Sequence, residues 1–400
     1  MRILQLINRV PWPLTDGGAI GYFNTIKGYH DAGCEVTVLA LNTHKHYVEK
    51  LPYELTQLAT WHTIDIDNRV KLIPALFNLL GSTSYHVDRF ISPECEAKIK
   101  DILQQQTFDV VVFESLFMMP YVDVVTSNSR AFRVLRQYNV EHVIWQKLAD
   151  SETTVVKKWY LQLLAKRLYA FEQSVLNKAD SITVLSGDDA RQLIEMGCTH
   201  PIHISPLGIT IPEKNTQLYP VAGSIFHLGS MDWQPNIEAM EWFVQKVWPR
   251  IEQEYPDATF FMAGKQMPAF LQNYQDERLL VVGTVEDAVT FMLTKQIMVV
   301  PLFSGSGIRV KILEGMALGK AIVATSLGAQ GIACDHGKNI LIANTADEFY
   351  QCIGQLLNNP VLCETLGNEA RKLVEEKYSN TKITADVLSF YKDQLKLKDV

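Results

Sequence analysis

Gly305, Ser306 and Gly307 end an apolar run at Ile297–Phe303 and open onto a segment carrying Arg309, Lys311 and Glu314. A strand, a glycine and serine turn and a helix start in that order suit an anion. Glycines let the backbone approach the ligand, and the unpaired N–H groups of the first helical turn point at it. At 3.6 residues per turn, Gly307, Lys311 and Glu314 share one helix face, with Arg309 roughly opposite. Lys311 can neutralise a phosphate, with Arg309 as second candidate, and Glu314 can accept from vicinal ribose hydroxyls. Ser304 and Ser306 add hydroxyl donors. That is the pairing a nucleoside diphosphate requires. The same spacing also suits a solvated Lys311–Glu314 ion pair, worth about 0.2–0.5 kcal/mol.

Two further clusters carry polar groups at strand ends. Asn8–Gly18 holds Asp16-Gly17-Gly18, a turn that can bring backbone N–H groups to a ligand, or an ordinary strand-to-helix loop capped by Asp16. It lacks the G-x-G-x-x-G spacing of a dinucleotide fingerprint. Asn139-Val140-Glu141-His142 follows another strand. Asn139 and Glu141 can contact a second substrate there, with Glu141 as general base, or they cap a helix.

The elements that must hold these groups alternate between short Val-, Ile- and Phe-rich runs and helical patterns. Strands are expected at Ile3–Ile7, Glu35–Leu41, Trp61–Ile66, Phe108–Phe113, Phe132–Tyr138 and Ser181–Leu185. A second series is expected at Ser224–Leu228, Ala258–Ala263, Leu279–Val282, Ile297–Phe303, Ala321–Thr325 and Asn339–Ile342. Runs of this kind suit strands buried on both faces of a parallel sheet. Helices are expected at Ala19–Ala32, Thr154–Lys178, Asn236–Glu254 and Thr381–Lys396. The fold class is therefore α/β, with two doubly wound parallel sheets. Domains are expected at 1–205 and 223–380. The proline-bearing stretch 206–222 joins them.

Several classes are disfavoured. A formal net charge of −7 in 400 residues argues against nucleic acid. The six cysteines form no C-x-x-C pair and no zinc-ligand spacing, so they read as reduced thiols. Asp65-Ile66-Asp67 is a weak match to a metal-holding D-x-D, and the histidine pairs His44/His46 and His200/His203 lack partners at ligand spacing, so no metal is expected. Met1–Ile7 is too short for a signal segment, and no apolar run approaches the ~20 residues of a membrane span. A cytoplasmic protein is expected on these grounds. Tyr160, Leu161, Leu164, Leu168 and Phe171 form a stripe on Thr154–Lys178 that suits packing on the first sheet, with a membrane-surface helix as the alternative.

The segment Gly307-Ile308-Arg309-Val310-Lys311-Ile312-Leu313-Glu314-Gly315-Met316-Ala317 resembles the donor-site signature of retaining GT-B enzymes of glycosyltransferase family 4. Leu228-Gly229-Ser230-Met231-Asp232-Trp233, Ala263-Gly264-Lys265, Val282-Gly283-Thr284, Pro206-Leu207-Gly208-Ile209 and Asp16-Gly17-Gly18 agree with that family in order. The resemblance spans nearly the whole chain and is more specific in its second half. It implies a GT-B architecture, two Rossmann-like domains facing across a cleft, with the last helix packed back on the first domain. The implied substrates are a nucleotide-diphosphate sugar held by the second domain and a sugar or lipid-linked acceptor, with retention of configuration and no metal cofactor. Association with the inner face of a membrane would fit such acceptors. Glu114, after Phe113, stands where the family often has histidine, and implies a carboxylate at the catalytic centre or a helix-start acid. Ser306 replaces the first of the family's two glutamates, and Ser230 replaces a diphosphate-binding arginine. A sugar-nucleotide epimerase of the same fold and a non-catalytic sugar-nucleotide binder are the alternatives.

Overall fold

The computed structural model describes residues 1–14, 16–71, 78, 81, 83–213, 218–305 and 307–398. The chain divides into two compact units. The first comprises Met1–Gly208 and Asn380–Val400, and the second Ile209–Ser379.

The first unit holds a seven-stranded sheet. Its strands are β1 (Arg2–Ile7), β2 (Glu35–Thr43), β3 (Thr60–Ile66), β4 (Val110–Glu114), β5 (Phe132–Gln137), β6 (Ser181–Val184) and β7 (Ile202–Ile204). The order is β3-β2-β1-β4-β5-β6-β7, every pairing parallel. The apolar runs explain this. Ile3, Leu4, Leu6, Val110, Val111, Val112 and Phe113 have no solvent exposure, as strands covered on both faces require. The strand order reverses between β1 and β4, where Ile7 pairs with Glu114, and open α/β sheets bind ligands beyond such a switch. Strand β7 escapes the sequence patterns because its three residues centre on the polar His203.

The helix Asn380–Lys398 completes this unit. Its Val387, Leu388 and Tyr391 join Ile3, Ile26 and Val134 in one core. The Tyr391 and Tyr29 hydroxyls lie 3.2 Å apart, and Asn380 Nδ2 donates to Asn24 O at 2.7 Å.

The second unit repeats the plan with six strands. They are β8 (Ser224–Leu228), β9 (Thr259–Ala263), β10 (Leu279–Gly283), β11 (Ile297–Val300), β12 (Ala321–Ala324) and β13 (Leu341–Ile342). The order is β10-β9-β8-β11-β12-β13, again parallel, with its switch between β8 and β11. The helix expected over 236–254 is two helices, Gln234–Lys246 and Trp248–Glu254. Pro249 has no N–H to continue the ladder, so the first helix ends at Val247 and Pro249 falls in the first turn of the next. Residues ahead of β8 pack within this unit. Ile209 N donates to Tyr378 O at 2.7 Å, and Arg371 Nη2 to Pro212 O at 2.9 Å.

Candidate functional site

In the second unit the loop after β11 runs from Pro301 to Arg309. Gly305 (φ 101°) and Gly307 (φ 84°) both occupy the left-handed region that favours glycine. At Gly305 there is a second demand, since a Cβ would stand 2.5 Å from Cζ2 of Trp233. Ser304 Oγ donates to Glu238 Oε2 at 2.9 Å. Ser306 lies outside the described residues.

The helix begins only at Val310, and Arg309 is its N-cap (φ −83°, ψ 88°). The ideal-helix rotation that set Arg309 opposite Lys311 therefore does not apply. Arg309 folds back to donate to Gly307 O and to lie over the Trp233 ring, 5.0 Å from its centroid. It is buried, and burial pulls its pKa down to about 10, which leaves it cationic at neutral pH. One turn on, Lys311 Nζ lies 2.8 Å from Glu314 Oε2, both side chains partly exposed. Ile312, Leu313 and Met316 bury the other face. Phosphate-ready cations and a carboxylate thus share one loop and one helical turn at the switch point.

Gly229 and Gly264 shape the neighbouring wall. A Cβ on Gly264 would overlap the Gly229 carbonyl oxygen. Their amides are spent inside the protein, Gly229 N on Ala263 O (3.0 Å) and Gly264 N on Gly283 O (2.7 Å). The loops after β8 and β9 are thereby packed closely against each other. His227, which no motif marked, is 2% exposed and donates from Nδ1 to Val299 O at 2.9 Å. Burial lowers its pKa to about 4, so the ring is neutral. Its Nε2 has no hydrogen-bond partner among the described residues and lies beside Gly229.

In the first unit, Asp16 is the N-cap of the helix Gly17–Asp31, accepting from Gly18 N (3.0 Å) and Ala19 N (3.1 Å). The amides of Gly18 and Ala19 are thereby taken by the Asp16 carboxylate, as in the capped strand-to-helix loop that the sequence offers as the alternative. Gly18 needs no side chain for another reason, since a Cβ would stand 2.5 Å from Arg9 Nη2. Arg9 pairs with Asp16 and meets His46 Nε2 at 3.1 Å. Burial raises the Asp16 pKa, and the Arg9 contact outweighs it, for a net lowering.

Glu114 lies at the end of β4. Its residue exposure is 0%, because it is the last residue of a central strand rather than part of a loop. Oε1 accepts from Gln5 Nε2 (2.7 Å), and Oε2 from Tyr138 OH (3.0 Å), with Arg136 Nε at 3.7 Å. Burial pushes its pKa up against the pull of Arg136 and these two donors. The carboxylate therefore meets Gln5, Tyr138 and Arg136 inside the protein.

Asn139 and Glu141 are both partly buried at the carboxyl end of β5, where Glu141 is the first residue of the helix Glu141–Ser151. Burial, and then the charge of Glu172, push the Glu141 pKa up to about 8. The shift favours the protonated form more than in an ordinary glutamate. Glu172 comes from the helix Val155–Val175 and is fully buried. It accepts from Gln137 Nε2 (2.9 Å), from the amides of Glu141 (3.3 Å) and His142 (3.4 Å), and from His142 Nδ1 at 2.8 Å.

The acids of Asp65-Ile66-Asp67 are committed elsewhere. Asp65 accepts from Asn42 Nδ2 at 2.9 Å, and Asp67 pairs with Arg69 and Lys71. Among the described residues no three His, Cys, Asp or Glu side chains gather as a metal site, and no helix is long and apolar enough to cross a membrane. On Val155–Val175 the residues Leu161, Leu164 and Leu168 are buried, so that stripe packs inward.

Residues 222–359 match the family model described as glycosyl transferases group 1. The chain is 20% identical over 399 residues to a 44.6 kDa protein of the cps region of Klebsiella pneumoniae, covering 96% of this chain and 98% of that one. It is similar to the structure of sucrose-phosphate synthase from Thermosynechococcus elongatus, with 15% identity and a TM-score of 0.70 over 99% of this chain and 100% of that one. It is also similar to HepE of Anabaena in complex with UDP-glucose, with 14% identity and a TM-score of 0.63 over 97% and 99%. The fold they share is GT-B.

Proposed function

We propose that this GT-B chain, whose residues 222–359 match the glycosyl transferases group 1 model, takes a sugar from a nucleoside diphosphate and gives it to an acceptor hydroxyl. The observation that carries this reading is the loop after β11. Gly305 and Gly307 keep the backbone open to an anion, and Arg309 and Lys311 stand within two residues of each other to meet a diphosphate. Arg309 supplies the charge that Ser230 does not. Glu314 accepts from the ribose diol, its pairing with Lys311 exchanged for contacts to the ligand. Uracil is the favoured base, since the HepE structure holds UDP-glucose.

The reaction retains configuration at the sugar. The bond from C1 to the β-phosphate oxygen breaks as the acceptor oxygen bonds to C1 on the same face, and its proton passes to the leaving phosphate. Catalysis is then positioning and stabilisation of the departing charge, without a metal. The acceptor is a sugar or a lipid-linked sugar in the assembly of a polysaccharide, glycolipid or glycoconjugate. A surface suited to lipid supports the latter: Val155, Val156 and Trp159 are 80%, 76% and 57% exposed, beside Lys157 and Lys158.

Thermal unfolding with a panel of nucleotide-diphosphate sugars tests the reading. A ligand at ~100 times its dissociation constant adds about 2.7 kcal/mol. One donor is expected to shift the protein, and Glu314→Ala to abolish the shift. An unshifted panel overturns the reading. Conversion of the donor to another sugar nucleotide without acceptor would make the chain an epimerase instead.

A further inference from the structure

The donor-side reading leaves one costly arrangement in the first unit unused. Glu172 is a carboxylate with 0% exposure, and burying such a charge costs several kcal/mol unless it is well satisfied. Two backbone amides and Gln137 would satisfy it as a helix cap. Its shortest contact, however, is to the side chain of His142 at 2.8 Å. A carboxylate can only accept, so Nδ1 carries the proton of this bond and Nε2 is left for a partner outside it. The imidazole is held on a second side by Tyr169, edge-on at 4.9 Å between centroids. Its side chain remains 18% exposed, and its hydrogen bonds among the described residues run through its backbone N and Nδ1, not Nε2. The ring sits in the first turn of Glu141–Ser151, beyond the carboxyl end of β5, the edge where parallel sheets receive ligands.

We infer that His142, fixed in orientation by Glu172, hydrogen-bonds through Nε2 to a hydroxyl of the acceptor other than the attacking one and so aligns the acceptor. The substrate class is a polyhydroxylated acceptor, and the inference rests on the transfer reading above. His142 is then a catalytic residue in direct contact with substrate, and Glu172 a positioning residue acting through it.

The test measures nucleoside-diphosphate release from the donor that shifts thermal unfolding, with water and a panel of p-nitrophenyl glycosides as acceptors. In His142→Gly the donor-induced thermal shift is expected to persist while release falls about 100-fold, the scale of a misplaced reactant. Added imidazole, which can occupy the vacated volume, is expected to restore at least ~10-fold of it. Glu172→Gln, which still accepts from Nδ1–H but lacks the charge, is expected to fall between wild type and His142→Gly. Release by His142→Gly at the wild-type rate overturns the inference and leaves the transfer reading standing. So does a loss that imidazole does not restore. Wild-type protein that binds a donor and releases nothing to any acceptor overturns both.

Discussion

Gly264 and Gly229 meet backbone to backbone: a Cβ on Gly264 would fall inside the carbonyl oxygen of Gly229. Two loops at the carboxyl edge of the second sheet are thus held together by the absence of side chains. Gly264→Ala must push the loops apart, and overpacking of this kind costs ~1–3 kcal/mol or more. Gly283→Ala is the control. Gly283 has a left-handed φ of 71° but nothing within 4 Å of a Cβ, so it loses only about 1–2 kcal/mol. Urea unfolding should rank Gly264→Ala clearly below Gly283→Ala. Equal losses would mean that backbone conformation, not contact, sets the cost.

Arg309 and Lys311 are predicted to act on phosphate alone. Each alanine variant should weaken UDP binding by ~10–100-fold, the range for a lost charge-assisted hydrogen bond, with Arg309→Ala the larger because Arg309 is the more buried. Uridine, which lacks the phosphates, should bind all three proteins alike. Calorimetric titration with both ligands decides this. A matching loss for uridine would trace the effect to collapse of the loop over Trp233.

Glu141 gives a pH dependence whose sign follows from its shift. Its folded pKa, about 8, lies above the ordinary 4.5, so the native state binds the proton more tightly than the unfolded chain. Its contribution is complete below pH 4.5 and is lost as pH rises through about 8. Relative to Glu141→Gln, the wild type should lose stability between pH 5 and pH 9. Parallel urea midpoints across that range would remove Glu141 from the account.

Glu114 and Arg136 should behave as one buried unit. Glu114→Ala leaves Arg136, 4% exposed at its side chain, without its carboxylate, and removing one partner of a buried pair costs ~3–5 kcal/mol. Glu114→Gln can still meet Gln5 or Tyr138 and should lose less. The order of unfolding midpoints, wild type above Gln above Ala, checks it. A folded Glu114→Ala with wild-type stability and no turnover would place Glu114 at the catalytic centre.

How much of this was legible beforehand depended on range. The strands of both sheets are near-continuous apolar runs such as Val110-Val111-Val112-Phe113, a signal carried by neighbours in sequence. The loop at Gly305 and Gly307 was legible because backbone at positive φ favours one residue type. Arg309 was misread, since its direction depends on where the helix begins. The burial of Glu114 was not legible, because strand register, not residue type, decides whether a strand-end acid faces solvent. Glu172 was invisible. Nothing in a helix pattern distinguishes a glutamate that reaches across to His142, 30 positions earlier, from one that faces water.

The return of Asn380–Lys398 to the first unit also bears on how the protein is made. Tyr391, Val387 and Leu388 belong to a core whose other members, such as Ile3 and Ile26, are synthesised first. The second unit, Ile209–Ser379, is continuous in sequence and can close on itself while translation is still under way. The first unit leaves the ribosome early yet stays unsealed at its Tyr29 face until the final helix emerges. On a growing chain, the half that is made first is therefore the half that is finished last.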